Sequence, residues 1–238
     1  MLHGTASMHR LLPALPLAAL LLSCGGTPKA PDPGTDYTLA VQPNQITTPA
    51  ITGGGGRGLA TIAWINCAPQ TVDLALANAP AGVNAFFAPA STSATSVYNV
   101  VLGNVPPPAG FYHMWIQGAA ADVHHQTELD LAVQDFTLAR PADVTVAAAA
   151  PSFSIPITFT RQPAELPFAG SVDFTVFTPA TFYLGSFSTT PVVNPGTTTS
   201  LTMTSGPVPP GSNTTVTVTG TDAASGLSHS VTFNVTVQ

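Results

Sequence analysis

The chain has 238 residues, of which only 7% are charged, and its 5 Lys and Arg against 11 Asp and Glu give a formal net charge of -6. Beyond the amino-terminal segment the basic residues are Lys29, Arg57, Arg140 and Arg161, scattered rather than gathered into a stripe, which excludes nucleic-acid binding. The 24 prolines and 20 glycines are spread along the chain and would interrupt any series of long helices, while Thr, Val and Ser runs favour strands, so an all-β fold is expected.

At the amino terminus Arg10 precedes the apolar run Leu11 to Leu22, which is too short to span a bilayer and has the length of a secretory h-region. Met8 is a second candidate start, since Met1 to Ser7 add nothing such a signal needs. The run ends in Leu21-Leu22-Ser23-Cys24, which resembles the lipobox of bacterial lipoproteins. That resemblance implies a signal peptide over residues 1–23, acylation of Cys24, and a membrane as the first partner of the mature chain. Gly25 rather than an aspartate follows the cysteine, so nothing in the resemblance implies retention at an inner membrane. Residues 24–35 continue as a Pro- and Gly-rich stretch without apolar periodicity and read as a tether. With Cys24 acylated only Cys67 remains, in a loop and without basic neighbours, so it reads as an inert thiol and no disulfide is expected in the mature domains.

At Asp36 a repeat begins. Asp36-Tyr37-Thr38-Leu39-Ala40 returns as Asp135-Phe136-Thr137-Leu138-Ala139, and Ala132-Val133-Gln134 closes the first copy as Thr236-Val237-Gln238 closes the second. Inner landmarks keep step: Pro43 and Thr47 with Pro141 and Thr145, Val72-Asp73-Leu74 with Val172-Asp173-Phe174, Gly118 with Gly220, and His125 with His229. A period of about a hundred residues fits one compact domain per copy, giving domains over 36–134 and 135–238.

In the first copy the glycine run at 53 to 56 is expected to be a flexible loop ahead of a strand carrying Ile62 and Trp64; no lysine or helix follows to make it a phosphate cradle. Val72, Leu74 and Leu76 alternate as a strand. Tyr112 to Gln117 is expected to form a hairpin with a strand in which Thr127, Leu129, Leu131 and Val133 face inward and Glu128, Asp130 and Ala132 outward. The second copy repeats this with Val172, Phe174 and Val176, with Thr214 to Thr219, and with Val231, Phe233, Val235 and Val237. Pro156 falls within an otherwise good strand, 153–159, and is expected at an edge or bulge. Roughly seven short strands per copy, with turns about every ten residues, predict two tandem immunoglobulin-like antiparallel β-sandwiches.

The residues able to carry chemistry are few. His125 and His229 recur in both copies and read as structural. Phe111, His113 and Trp115 have the parity of the outer sheet face, with His124 across the hairpin, and form the candidate binding surface, since aromatics on an exposed β-face are a common contact device. A surface metal site on His113, His124 and Glu128 is the alternative use of that face. Asp73 and Asp173 are repeat-equivalent and outward, and Asp122, Glu128 and Asp130 cluster near one hairpin, but nothing sets two carboxylates across a cleft as a glycosidase requires. There is no Gly-x-Ser-x-Gly elbow and no aspartate-rich calcium loop. No catalytic residue, metal or cofactor is assigned.

Val72-Asp73-Leu74-Ala75-Leu76, then Ala79-Pro80-Ala81-Gly82-Val83 and Pro108-Ala109-Gly110-Phe111-Tyr112, resembles bacterial immunoglobulin-like repeats, in which a strand leads to a Leu-Pro-Ala-Gly-Val turn and later to a Pro-Gly-Thr-Tyr strand. Ala79 stands where leucine is usual, and the second copy keeps Pro209-Pro210-Gly211-Ser212 but not the earlier turn. The resemblance implies placement on a bacterial cell envelope, facing the periplasm or the exterior, as a spacer or adhesive module whose partner is an envelope protein or polysaccharide. A carbohydrate-binding accessory lipoprotein is the alternative within that class, and a metal-binding or enzymatic protein using the His113 and His124 face lies outside it.

Overall fold

The computed structural model describes residues 36–65, 69–148, 150, 152–179, 183–205 and 209–238. The expected signal segment, Cys24, the tether and Cys67 lie outside the described residues. Within them there is no helix. The first half comprises β1 (Tyr37–Gln42), β2 (Gln45–Pro49), β3 (Gly55–Trp64), β4 (Val72–Ala77), β5 (Val83–Ala88), β6 (Ser91–Thr92), β7 (Thr95–Leu102), β8 (Gly110–Ala120) and β9 (Val123–Leu138). The second comprises β10 (Val144–Val146), β11 (Ser152–Gln162), β12 (Asp173–Phe177), β13 (Tyr183–Phe187), β14 (Thr198–Ser205), β15 (Asn213–Thr221) and β16 (Ser228–Val237).

The first sandwich packs the sheet β1-β3-β7-β5 against strands β9-β8-β4-β6, with β2 added parallel to β9. Period-two alternation decides which side chains meet between the sheets: Tyr37, Ile62, Tyr98 and Val100 from one, Met114, Ile116, Leu129 and Leu131 from the other, all buried in one apolar cluster. The second sandwich packs β10-β16-β15-β12 against β13-β14-β11 and the end of β9 around Phe136, Ile157, Phe159, Phe174, Val216, Val218 and Phe233. The all-β, immunoglobulin-like sandwich architecture expected from the sequence is what the sheets show.

The two copies agree down to register. In each, the opening segment pairs antiparallel in one sheet and then switches to run parallel with the closing strand of the other. Thr47 lies opposite Ala132, and Thr145 opposite Thr236. The junction is not a linker. The division expected between Gln134 and Asp135 falls inside β9, whose residues up to Val133 pair with β8 and whose residues Asp135 to Leu138 pair with β11. The Gln134 amide also donates to the carbonyls of Leu166 and Pro167, each at 2.9 Å, and Ile51 of the first half packs against the second core.

What the duplication preserves is a compact packing unit. Asp36 accepts the Tyr37 amide at 2.8 Å and meets His125 Nε2 at 2.6 Å, and the His125 ring lies edge-on to Tyr37 at 4.6 Å. In the second copy Asp135 accepts the Phe136 amide at 2.6 Å and meets His229 Nε2 at 2.7 Å, with the His229 ring edge-on to Phe136 at 5.0 Å. Each histidine is paired across its hairpin with a glycine, Gly118 or Gly220. A Cβ on Gly118 would sit 2.9 Å from both the Tyr37 hydroxyl and Val72 Cγ1, and one on Gly220 would sit 2.9 Å from Val172 Cγ1. The repeat-matched aspartate, aromatic, glycine and histidine of each copy thus serve strand pairing and aromatic packing. The His125 hydrogen bond, followed by the Tyr37 amide, lowers the Asp36 pKa, while burial pushes the Tyr37 phenol up.

Two expectations need correction. The 53 to 56 glycines are not a free loop: Gly55 and Gly56 open β3, the Gly54 carbonyl accepts the Leu102 amide at 2.7 Å, and β2 crosses so close that a Cβ on Gly56 would meet Ile46 Cγ2 at 2.8 Å. Gly55, at φ 152°, would drive a Cβ to 2.0 Å from the Val100 carbonyl oxygen, so glycine is a steric requirement here. Ala132 is not solvent-facing but fully buried, because its small side chain lies in a strand flanked on both sides by Thr47 and Phe111. Pro156 is where an edge requires it. It pairs with Ser200 of β14, and β9 joins β11 only from Phe159 onward.

Among the described residues one cation is internal. Arg161 is 7% exposed and donates to the carbonyls of Gly196 (3.1 Å), Phe168 (2.8 Å), Gly170 (2.6 Å) and Val192 (3.3 Å), with its guanidinium 5.1 Å from the Phe159 ring centroid. Burial lowers its pKa. The planar five-donor fork is what satisfies four carbonyls around the loops of the second sandwich.

Substitutions test this account. Gly118→Ala and Gly220→Ala should each lower stability by about 1–3 kcal/mol in urea denaturation, the cost of overpacking. Tyr37→Phe, which imports the second copy's solution and removes a buried hydroxyl that has no hydrogen-bond partner among the described residues, should raise stability by about 1 kcal/mol and lessen the cost of Gly118→Ala. Arg161→Leu should cost about 2–4 kcal/mol by stranding the carbonyls, and Arg161→Lys should recover little of it, since one ammonium cannot span them.

Candidate functional site

The hairpin β8–β9 turns through Ala121 and Asp122, with Ala121 at φ 49°, and this fixes the rows of the outer face across β4, β8 and β9. Asp73, Ala119 and His124 form the first row, Ala75, Gln117 and Gln126 the second, and Ala77, Trp115 and Glu128 the third. His113 then faces Asp130, and Phe111 faces Ala132. The four residues expected on this surface do share it. They do not converge, since Phe111 and Ala119, which faces His124, are eight positions apart on one strand, about 25 Å at strand rise.

Trp115 sits half-buried near the middle of the face, with Phe111 exposed at one end and His124 at the other. Around the tryptophan the side chains are amides, carboxylates and imidazoles. Gln117 and Gln126 are both exposed, and Asp73, Ala75, Gln117, Ala119, His124 and Gln126 line a shallow recess beside it. The Asp73 carboxylate accepts the Ser91 hydroxyl. A second recess, lined by Asn78, Ala79, Pro80, Phe111, Tyr112 and His113, opens at the other end.

Among the described residues the convergent cluster is His113 with Glu128 and Asp130. His113 Nδ1 lies 2.7 Å from Asp130 and 3.1 Å from Glu128. The Asp130 hydrogen bond and charge, and then the Glu128 charge, raise the His113 pKa above its ordinary value. Asn78 fixes the strand beneath by donating to the His113 carbonyl at 2.8 Å. The expected grouping of His113 with His124 is not formed: His124 lies opposite Ala119, six residues from Asp130 along β9, about 20 Å away. Asp130 is the partner that sequence reasoning placed on this face without linking it to His113. Gln117 and Gln126 were missed, although parity alone finds them once the turn is fixed at Ala121-Asp122.

The second copy supplies a comparison within the same chain. Aligning Gly118 with Gly220 and His125 with His229 puts Thr215, Thr217, Thr219 and Thr221 where the first copy has His113, Trp115, Gln117 and Ala119. The facing strand has Ser228, Ser230, Thr232 and Asn234 in place of His124, Gln126, Glu128 and Asp130. These side chains bond to each other across the hairpin: Thr215 with Asn234 at 3.0 Å, Thr219 with Ser230 at 2.7 Å and Thr221 with Ser228 at 3.0 Å. The interior is duplicated and the outer face is not.

Glu128 and Asp130 lie two residues apart on the same side of one strand, so they do not flank a cleft in the manner of a glycosidase pair. Basic character on the surface is even sparser than the composition implies, because Arg161 is internal and Arg140 is paired with Asp143 at 2.6 Å.

No family model matches the chain, and no curated protein matches it. Among solved structures the chain is similar to domains 4 and 5 of the S-layer protein SbsC, at 15% identity and a TM-score of 0.36, over 85% of this chain and 97% of that one. It is also similar to Drosophila N-cadherin EC1–4, at 12% identity and a TM-score of 0.32, over 85% of this chain and 51% of that one. A third similarity is to the endo-fucoidan hydrolase MfFcnA4, at 10% identity and a TM-score of 0.31, over 87% of this chain and 29% of that one.

Proposed function

We propose that this chain is a non-enzymatic binding module of a bacterial cell envelope, anchored through acylated Cys24, that engages a polysaccharide through the Trp115 face of its first sandwich. The observation that carries the reading is the divergence of the copies. Selection that acted only on folding would leave both outer faces equally plain, yet only the first combines a tryptophan with amides, carboxylates and imidazoles. An aromatic ring offers an apolar platform to the C–H face of a sugar, and Gln117 and Gln126 beside it, with Asp73 at the far end of the adjoining recess, supply donors and acceptors for hydroxyl groups. Low surface charge gives little long-range steering, so affinity rests on short-range contacts and repetition along a polymer. The second sandwich, whose β15–β16 hairpin carries only hydroxyl and amide groups on its outer face, then serves as a contact to neighbouring envelope proteins.

Binding of the full chain in detergent to an array of neutral and cell-wall glycans tests the ligand class. Trp115→Ala should weaken retention by about tenfold or more, in line with loss of an aromatic anchor, while Thr217→Ala at the equivalent position of the second copy should change nothing. Blank arrays, or equal losses from both substitutions, would exclude the polysaccharide reading. The anchor is tested separately: palmitate fed to cells should label the wild-type chain and leave Cys24→Ser unlabelled.

A further inference from the structure

His113, Glu128 and Asp130 form a constellation that sugar binding does not require. Their donor atoms, one imidazole nitrogen and one oxygen from each carboxylate, lie within 4.8 Å of one another. Two carboxylates face one imidazole, and among the described residues the ion pair involving lysine or arginine is Arg140–Asp143, so no fixed cation balances the pair. Two neighbouring carboxylates repel each other, and a cation between them relieves that repulsion. The positions are rigidly set, since His113 and Asp130 are cross-strand partners in the β8–β9 ladder, Glu128 lies on the diagonal, and Asn78 holds the His113 carbonyl. At the equivalent positions of the second copy stand Thr215, Thr232 and Asn234, of which Thr215 and Asn234 simply bond to each other.

We propose that His113 Nδ1 and the carboxylates of Glu128 and Asp130 bind a single divalent transition-metal ion, for which zinc is the matching probe. One nitrogen and two oxygens from protein side chains, with a position left open, is a donor set that zinc accepts, and the imidazole favours a transition metal over calcium or magnesium. Ligand atoms about 2.0–2.1 Å from a tetrahedral zinc lie roughly 3.3 Å apart. The present separations of 2.7 Å and 3.1 Å therefore need only a small widening. The open position faces solvent, because His113 and Glu128 are exposed. His124 lies on the same face but outside the donor set. The site is independent of the polysaccharide reading, as it uses neither Trp115 nor the amides.

Titration calorimetry of zinc into the full chain in detergent, first stripped with a chelator, decides the matter. One equivalent should bind in the micromolar range. His113→Ala and Asp130→Asn should each weaken binding by more than about a hundredfold, beyond what the loss of a merely supporting hydrogen bond costs. His124→Ala should leave the isotherm unchanged. Both ligand substitutions are at the surface, and circular dichroism of the metal-free variants should match the parent. Absence of saturable heat below about 100 µM zinc, retention of the stoichiometric site in His113→Ala, or an equal loss in His124→Ala would overturn the assignment.

Discussion

In each sandwich one aromatic ring fills a notch that only glycine leaves open. Tyr37 and Phe136 enter beside Gly118 and Gly220, where an added methyl group would clash, and the rest of the packing is arranged about that insertion. The histidine opposite the glycine covers the ring edge-on, and the aspartate preceding the ring holds the histidine. This single contact ties the first strand to the closing hairpin, elements that are far apart in sequence. It sets which face of that hairpin looks inward and therefore which side chains are available outside. The arrangement on the outer face is a consequence of an interior constraint, because period-two alternation leaves no freedom once one residue is fixed.

Much of this was legible in the sequence for a physical reason. Alternation separates inner from outer residues along β9 and β16, and the recurrence of His125 as His229 marks the two histidines as structural. What alternation cannot encode is depth and distance. Ala132 has outward parity but is buried because strands lie on both sides of it. His113 and His124 share a face yet lie far apart, because the turn at Ala121-Asp122 sets the register, and the sequence offered several small residues at which to place it. The glycine run at 53 to 56 resembles a flexible loop in composition, and only the packing shows that Gly54, Gly55 and Gly56 make room for Thr48, the Val100 carbonyl and Ile46.

The two copies share a scaffold and differ in what they show to solvent. Where the second sandwich carries threonine and serine hydroxyls satisfied by each other, the first carries side chains with unused hydrogen-bonding capacity and a tryptophan. The hydroxyl-bonded face shows how such a sheet meets water at low charge without offering a specific contact. The weakly ionic composition therefore does not by itself mean an inert surface. The groups that differ between the copies are gathered on the outer face of the first.

Continuity of β9 through the junction has a mechanical implication. Ordinary tandem modules are beads on a string, and a push on the outermost bead is absorbed by the flexible joint behind it. Here one strand is shared by both halves, so bending at the junction would have to pull apart ladder hydrogen bonds and drag the Gln134 amide from its two carbonyls. Load applied to the carboxyl-terminal half would then be met by paired backbone and not by a slack joint.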